Sequence, residues 1–577
     1  MVKLLKKNYI FIILILITNI SCLNEISLII TKTKGEKIID SSYFSFISEV
    51  IVNGISGNIS NYTQLLNDEI NNITIKFNQS LITTKNMFNK LDNILFIDLS
   101  NLISTGVKNM ESMFFYCSSL ISINFNNFDT SLVTNMSNIF FGCKSLKSLN
   151  LSIFITSSVR DISGMFGYCA SLTSIYLNSF DTSSVENMKS MFWYCSNLES
   201  LDISNFDTSS VKNKYEMFYG CKSLKSLNLE NFDTSSVTNM EMIFYGCSSL
   251  EELNLINFNT FSVKSMFGMF YSCNSLKKLN LDNFDTSSVN NMDAMFYGCS
   301  SLESLNISNF NTSSVKTMVR MFHGCKSLQS LNLNSFNTSS VTQMNMMFYN
   351  CYSLQTLNLN NFDTSSVLYM IEMFSGCKSL KTLYIDNFNI SKTYDLSYMF
   401  YNCSSLISLN LTNFDSQKAS FDNMVEGCNK KLKYCIDEKR NYKFINLLKN
   451  YEKNCKDICI SYNDKKYIIE ENKCLDNCTL DRNYKYEYND ICYEKCPDNT
   501  ELIKGSNYLC GDISGEEEEN TTLVIVIVIV VVVIVVIIVV IFIIFRKKIF
   551  GFREKLGGKS SDDITIPLDK EKIDKIK

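Results

Sequence analysis

Cysteine recurs at positions 117, 143, 169, 195, 221, 247, 273, 299, 325, 351, 377 and 403, and every interval is 26 residues. No other property of this 577-residue chain restricts its fold as tightly. One unit reads MFYGCKSLKSLNLENFDTSSVTNM, from Met217 to Met240. The frame reaches back to Met87, Phe88 and Leu91, which fill the Met, Phe and Cys columns of an earlier copy. It slips at Cys428, where the interval is 25. A unit this short cannot bury its apolar side alone, so the copies must stack on one another into one continuous core.

Within the unit, S-L-x-S-L-N-L is a strand of period two. Leu224, Leu227 and Leu229 face the core, while Ser226 and Asn228 face away. An L-x-x-L-x-L core at a period of roughly 20–29 residues predicts a leucine-rich solenoid. At about 4.8 Å per strand, roughly thirteen copies give a parallel β-sheet about 60 Å long. Phe218, Cys221, Phe232, Val237 and Met240 complete the inward set. Their recurrence in every copy reads as core filling rather than a ligand box. The repeat cysteines, Cys117 to Cys403, are expected to be buried free thiols, because Leu91 occupies the same slot. The rival reading is an oxidised column.

The column after Phe holds Asp129, Asp181, Asp207, Asp233, Asp285, Asp363 and Asp415, with Asn259, Asn311, Asn337, Asn389 and Ile155 in the same slot. Stacked carboxylates invite a calcium site. The exchange of Asp for neutral Asn favours a local turn capped by the side chain instead. The strand's Asn column, which includes Asn228, Asn254 and Asn280, is expected to form an amide ladder between copies. Asp202, Tyr176 and Tyr384 interrupt it. An adjacent column varies more, with Glu230, Ile256 and Asp282 among its members, and specificity is expected there.

The two ends fix an expected compartment. Residues 1–22 read as a secretory signal, with Lys3, Lys6 and Lys7 before an apolar run from Ile10 to Ile17. Residues 523–545 are only Leu, Val, Ile and Phe, long enough to cross a bilayer. Arg546, Lys547 and Lys548 follow them and mark the cytoplasmic side. The expectation is a plasma-membrane, single-pass type I protein with an extracellular N-terminal ectodomain and a cytoplasmic tail at 546–577. With +3 in residues 1–22, +4 in residues 546–577 and -4 overall, the segment between carries -11. Sequons stand there, among them Asn58, Asn72, Asn78, Asn135, Asn306, Asn410 and Asn520.

Between signal and span, residues 23–86 alternate weakly and are expected to form a β-rich cap on the first repeat. The solenoid occupies 87–428. Residues 429–510 hold Cys435, Cys455, Cys459, Cys474, Cys478, Cys492, Cys496 and Cys510. C-x₃-C spacing and an oxidising compartment favour disulfides over zinc in this juxtamembrane module. Residues 511–522 are an acidic linker.

Histidine appears once, at His323, where other copies have Tyr or Gly, as at Tyr219 and Tyr297, and it is expected to be an exposed variation. A single histidine leaves no His-rich metal site and no base for a Ser-His-Asp or Cys-His arrangement. The net charge of -4 offers no basic footprint for nucleic acid. The expectation is a chain that is not an enzyme, with no catalytic residues, metal or cofactor.

The run F-x-x-C-x-S-L-x-x-L-x-L followed by F-D-T-S-x-V-x-x-M resembles the BspA-like leucine-rich repeat surface proteins of bacteria and protists. The resemblance covers about Met87 to Cys428. It implies a surface protein used in adhesion, and it transfers no ligand. The C-terminal apolar span departs from many bacterial members. The spacing around Cys496-Pro497 is similar to furin-like cysteine-rich modules. Two functions stand after this. One is adhesion or recognition of an extracellular protein or glycan through the concave sheet face, with Tyr176, Glu230, Asp282, Tyr384, Asn228, Asn254 and Asn280 as candidate contacts. The other is a passive coat or antigenic surface without a specific ligand.

Overall fold

Every turn of the repeat offers the same backbone donors and acceptors at the same positions, so neighbouring turns pair in register. The computed structural model describes residues 24–31, 37–66, 68–416, 418–436, 442–459, 466–468, 473–475, 478–480, 482–498 and 500–512. The expected signal, transmembrane span and tail lie outside them. No helix among the described residues is long and apolar enough to cross a membrane.

The chain winds into a parallel β-solenoid of about fourteen turns, one more than the period predicts. The extra turn is the degenerate copy at Cys428, which is buried like the cysteines before it and like Leu91 at the other end. Strand pairs such as Glu252–Asn254 with Lys278–Asn280 are parallel and in register, Glu252 opposite Lys278 and Asn254 opposite Asn280. A second ladder follows the Asn before the buried Met, with bridges from Asn109 through Asn135, Asp161 and Asn187 to Asn213. A third joins the M-F-Y-G segments, as in Gly220 N–H to the Tyr245 carbonyl at 2.6 Å. Three ladders satisfy the backbone groups that a stack of short turns would otherwise leave unpaired.

The core is itself columnar. Phe114 stacks on Phe140 at 5.5 Å and Phe218 on Phe244 at 5.8 Å, and the row continues from Phe88 to Phe400. Leu224, Leu227, Leu229, Phe232, Val237 and Met240 are all buried, as period two and core filling predict. The thiol column is buried and free from Cys117 to Cys428. Each Sγ–H donates to the Phe carbonyl of the turn before, as Cys143 does to Phe114 at 3.2 Å and Cys428 to Phe400 at 3.1 Å. Leu91 can fill the slot, and cysteine adds a weak donor to the same apolar volume.

The residue before each cysteine is left-handed in copy after copy, with φ of 72° at Gly220 and 75° at Gly376. This explains the glycine of M-F-Y-G, because glycine adopts that conformation without steric cost. At Gly376 an added Cβ would also collide with Asn350 Oδ1 of the turn before.

The N-terminal segment is β-rich. Strands β1 (Glu25–Thr31), β2 (Ile47–Val52), β3 (Ile55–Gly57) and β4 (Ile70–Phe77) precede the first turn. Strand β1 alternates, with Ile26, Leu28 and Ile30 buried. It pairs antiparallel with β4 and with β5 (Ile94–Asp98). Strand β5 pairs parallel with β6 (Ser122–Asn124), so one sheet of order β3-β2-β4-β1-β5-β6 runs from the cap into the solenoid.

At the other end, Ser408–Asn410 pairs with Lys433–Cys435, which pairs with Glu452–Lys453. Helix α1 (Tyr442–Leu448) lies between the last two in sequence and buries Leu448 in the common core. Disulfides join Cys435 to Cys455 and Cys478 to Cys492, and Cys459 is also disulfide-bonded. A separate small unit holds the antiparallel pair Thr500–Leu502 with Cys510–Asp512 and the Cys496–Cys510 disulfide.

Candidate functional site

Outward residues of the strand ladder form columns along the stack. One runs Ser122, Ser148, Ser174, Ser200, Ser226, then Glu252 and Lys278, then Ser304, Ser330 and Thr356. The two charged residues interrupt a hydroxyl column at mid-length. A shallow depression of about 380 Å³ lies there, lined by Glu252, Asn254, Lys278, Asn280, Asp282 and Asn306 among others. Lys278 Nζ lies 3.5 Å from Glu252, and in the next column Lys277 Nζ lies 3.2 Å from Glu251. Asn306 Nδ2 donates to Asp282 Oδ1 at 2.8 Å.

The structure thus brings Asn254, Asn280 and Asp282 together and adds Glu252 and Lys278, which the sequence reading missed. Their signal was available as the break in the Ser/Thr column. Glu230 and Asn228 are exposed on the same face two turns nearer the N-terminus than Asp282 and Asn280. Tyr176 and Tyr384 stand 104 residues before and after Asn280, four turns each way, so each is about 19 Å from the depression. Tyr176 is exposed and Tyr384 half-buried. No compact ligand can touch both.

The strand's Asn column is not an amide ladder. Asn228 Oδ1 accepts from Glu230 N–H at 3.0 Å, Asn254 from Ile256 at 3.2 Å and Asn280 from Asp282 at 3.0 Å. Each side chain closes a turn two residues on, within its own copy. The ladder between copies belongs to the Asn before Phe. Asn309 Nδ2 donates to the carbonyls of Leu281, Asp282 and Phe284 at 2.9–3.1 Å, and Asn361, two turns on in the same column, donates to those of Leu333 at 2.8 Å and Phe336 at 2.9 Å.

The Asp column forms turns as expected. Asp181 Oδ1 accepts from Ser183 Oγ–H at 2.6 Å and from its N–H at 3.0 Å, and these bonds lower its pKa. Asn311 does the same with Ser313 without a charge. The Thr beside it is buried, a role the sequence reading did not assign. Thr234 Oγ1–H donates to the Asn259 carbonyl of the next turn at 2.8 Å.

His323 is not an exposed variation. It is half-buried, stacked between Tyr297 at 4.3 Å and Tyr349 at 4.6 Å in a row that includes Tyr219, Tyr245 and Tyr271. Burial first, and the Arg320 charge second, lower its pKa to about 4. Burial pushes Cys169, Cys247, Cys299 and Cys377 up to about 12. The column therefore offers no thiolate for nucleophilic attack or metal binding at neutral pH. Among the described residues no group of three or more His, Cys, Asp or Glu is placed to hold a metal ion.

A second shallow depression, about 580 Å³, is lined by Lys189, Lys212, Asn213, Tyr215, Asn239 and Glu241 among others. It marks a fault. Among the described residues, the second ladder has no bridge between Asn213 and Asn239. Beside the gap Lys214 takes the place of the core Met. It is buried, and its Nζ donates to the carbonyls of Val211 at 2.8 Å and Thr208 at 3.2 Å.

The model of the family described as "Mycoplasma protein of unknown function, DUF285" matches residues 82–200, 173–281, 264–360 and 330–437, more than half of the chain. The chain belongs to this family. DUF285 repeats therefore account for the whole leucine-rich-repeat-like solenoid described above. Among solved structures, the chain is similar to a leucine-rich-repeat protein of Leptospira interrogans. Identity is 14%, coverage is 63% of this chain and 90% of that one, and the TM-score is 0.17. It is also similar to the functional domain of InlJ from Listeria monocytogenes, which is described as including a cysteine ladder. There identity is 12%, coverage 60% and 69%, and the TM-score 0.24. No curated protein matches this DUF285 chain.

Proposed function

We propose that this protein is a cell-surface recognition protein of the BspA-like kind. The sheet face of the solenoid binds an extracellular protein or glycan, and the apolar span 523–545 holds the chain in the plasma membrane as a type I protein. It acts by binding, without catalysis and without a cofactor. The observation that carries this reading is the placement of Glu252, Lys278 and Asp282 in one exposed depression midway along a column that is otherwise Ser and Thr. A face that only needed to stay soluble would not require a cluster of charges within two adjacent turns. The passive coat draws its support from the Asn column, whose side-chain carbonyls already serve the turns.

The sheet face is long, and a partner that lies along it contacts many turns weakly. Strength then comes from many copies on one surface. Cells displaying the full-length protein are expected to attach to a matrix, glycan or cell surface. Glu252→Ala, Lys278→Ala and Asp282→Ala together are expected to reduce that attachment at least tenfold with surface expression unchanged. Attachment that persists in the triple variant rules out the sheet face.

A further inference from the structure

The residues one position before the charged pair also form a column, and its signs alternate. It reads Glu199, Lys225, Glu251, Lys277, Glu303 in successive turns. Backbone bonds hold part of it as a stack, Glu251 N–H to the Lys225 carbonyl at 3.2 Å and Lys277 N–H to the Glu251 carbonyl at 2.9 Å. At the level of Glu251 the next column carries Glu252, and at the level of Lys277 it carries Lys278. The face thus has an acidic level directly beside a basic one. The groups remain available to a partner. The Lys277–Glu251 pair has side-chain exposures of 59% and 56%, and the Lys278–Glu252 pair 80% and 69%. Ion pairs this exposed contribute little to folding.

From this charge pattern we propose that the partner of the sheet face is a second copy of this chain, packed face to face and antiparallel. The proposal rests on the reading of that face as the recognition surface. A two-fold axis along the strand direction, passing between the levels of Glu252 and Lys278, sets Glu251 against the other copy's Lys277. The same axis sets Glu252 against Lys278, and Lys225 against Glu303. Symmetry then repeats each pair. Asn254 meets Asn280, and Glu230 meets Ser308. The first like-charge opposition is Lys147 against Lys381, about 22 Å from the axis. A parallel pair fails on the same pattern. Its axis runs along the solenoid and brings equal levels together, so acid faces acid at Glu251 and Glu252 and base faces base at Lys277 and Lys278. Complementary charge fixes register and excludes the wrong orientation more than it adds affinity. An antiparallel pair also suits two chains that approach from opposite surfaces.

Full-length protein, made in a host without N-glycosylation and purified in detergent micelles, provides the test. Light scattering should show dimers that dissociate in about 1 M salt, where the screening length falls to about 3 Å. An all-acid variant, Lys277→Glu with Lys278→Glu, should be monomeric. So should an all-base variant, Glu251→Lys with Glu252→Lys. An equimolar mixture of the two should recover dimers, with at least a tenfold gain in affinity over either alone. That recovery also proves both variants folded. A monomeric wild type, dimers in either single variant, or a mixture that stays monomeric overturns the proposal. A separate arm offers wild-type displaying cells to surfaces that lack the protein. If those cells attach, and the Glu252, Lys278 and Asp282 alanine variant does not, the recognition face stands and only the second copy as its partner falls.

Discussion

His323 shows how one substitution in a repeated column changes the chemistry of its neighbours. Tyrosine in that slot stacks and stays neutral. Histidine stacks equally well between Tyr297 and Tyr349 but can take up a proton. Its folded pKa is about 4, below the ordinary value of 6.5, so the folded state disfavours the charged ring. Between those values the unfolded chain binds more protons than the folded one. Stability is therefore retained above pH 6.5 and lost as the pH falls towards 4, with no further loss from this group below that. Replacing His323 with Tyr is expected to remove that part of the acid sensitivity. Urea midpoints of the two proteins should converge above pH 7 and separate by pH 4.5.

At the scale of the element, the ladders decide which substitutions matter. Lys214 stands where Met188 and Met240 stand in adjacent turns, and its ammonium is buried. Burial lowers its pKa from 10.5 to about 8, against a smaller opposing pull from Asp233. Lys214→Met is expected to stabilise the fold by about 3 kcal/mol at pH 7, since each tenfold loss of proton affinity is worth about 1.4 kcal/mol. The gain should shrink as pH rises from 8 to 10.5, because the unfolded lysine then loses its proton too. Denaturant titrations at pH 7 and pH 10.5 measure the difference. A gain independent of pH would mean that restored packing, not the buried charge, is responsible. Period two and the 26-residue interval made the core, the strand and the buried cysteines legible in the sequence. The two Asn columns were not separable, because periodicity identifies a column but not whether its amide reaches forward in its own turn or across to the next. Lys214, Glu252 and Lys278 were visible as breaks in their columns. Reading them required knowing that one column faces the core and the other solvent.

At the largest scale, the solenoid is a stack with dissimilar structure at its two ends. Strand β1 runs antiparallel to β4 and to the solenoid strand β5, and at the far end Lys433–Cys435 and α1 follow the last full turn. Each interior turn meets surfaces like its own above and below, so its removal leaves matching surfaces in contact. Deleting Cys273 to Gly298, one complete unit, is expected to leave far-UV circular dichroism per residue unchanged and the protein folded. Deleting half of that span should abolish folding, because the Phe and Leu columns would no longer align. The same interchangeability reaches into heredity. A gene that encodes near-identical interior units invites unequal crossing-over within them, while the two dissimilar ends stay fixed. Lineages can therefore lengthen or shorten this protein in steps of 26 codons, changing how far it reaches without having to invent a new fold.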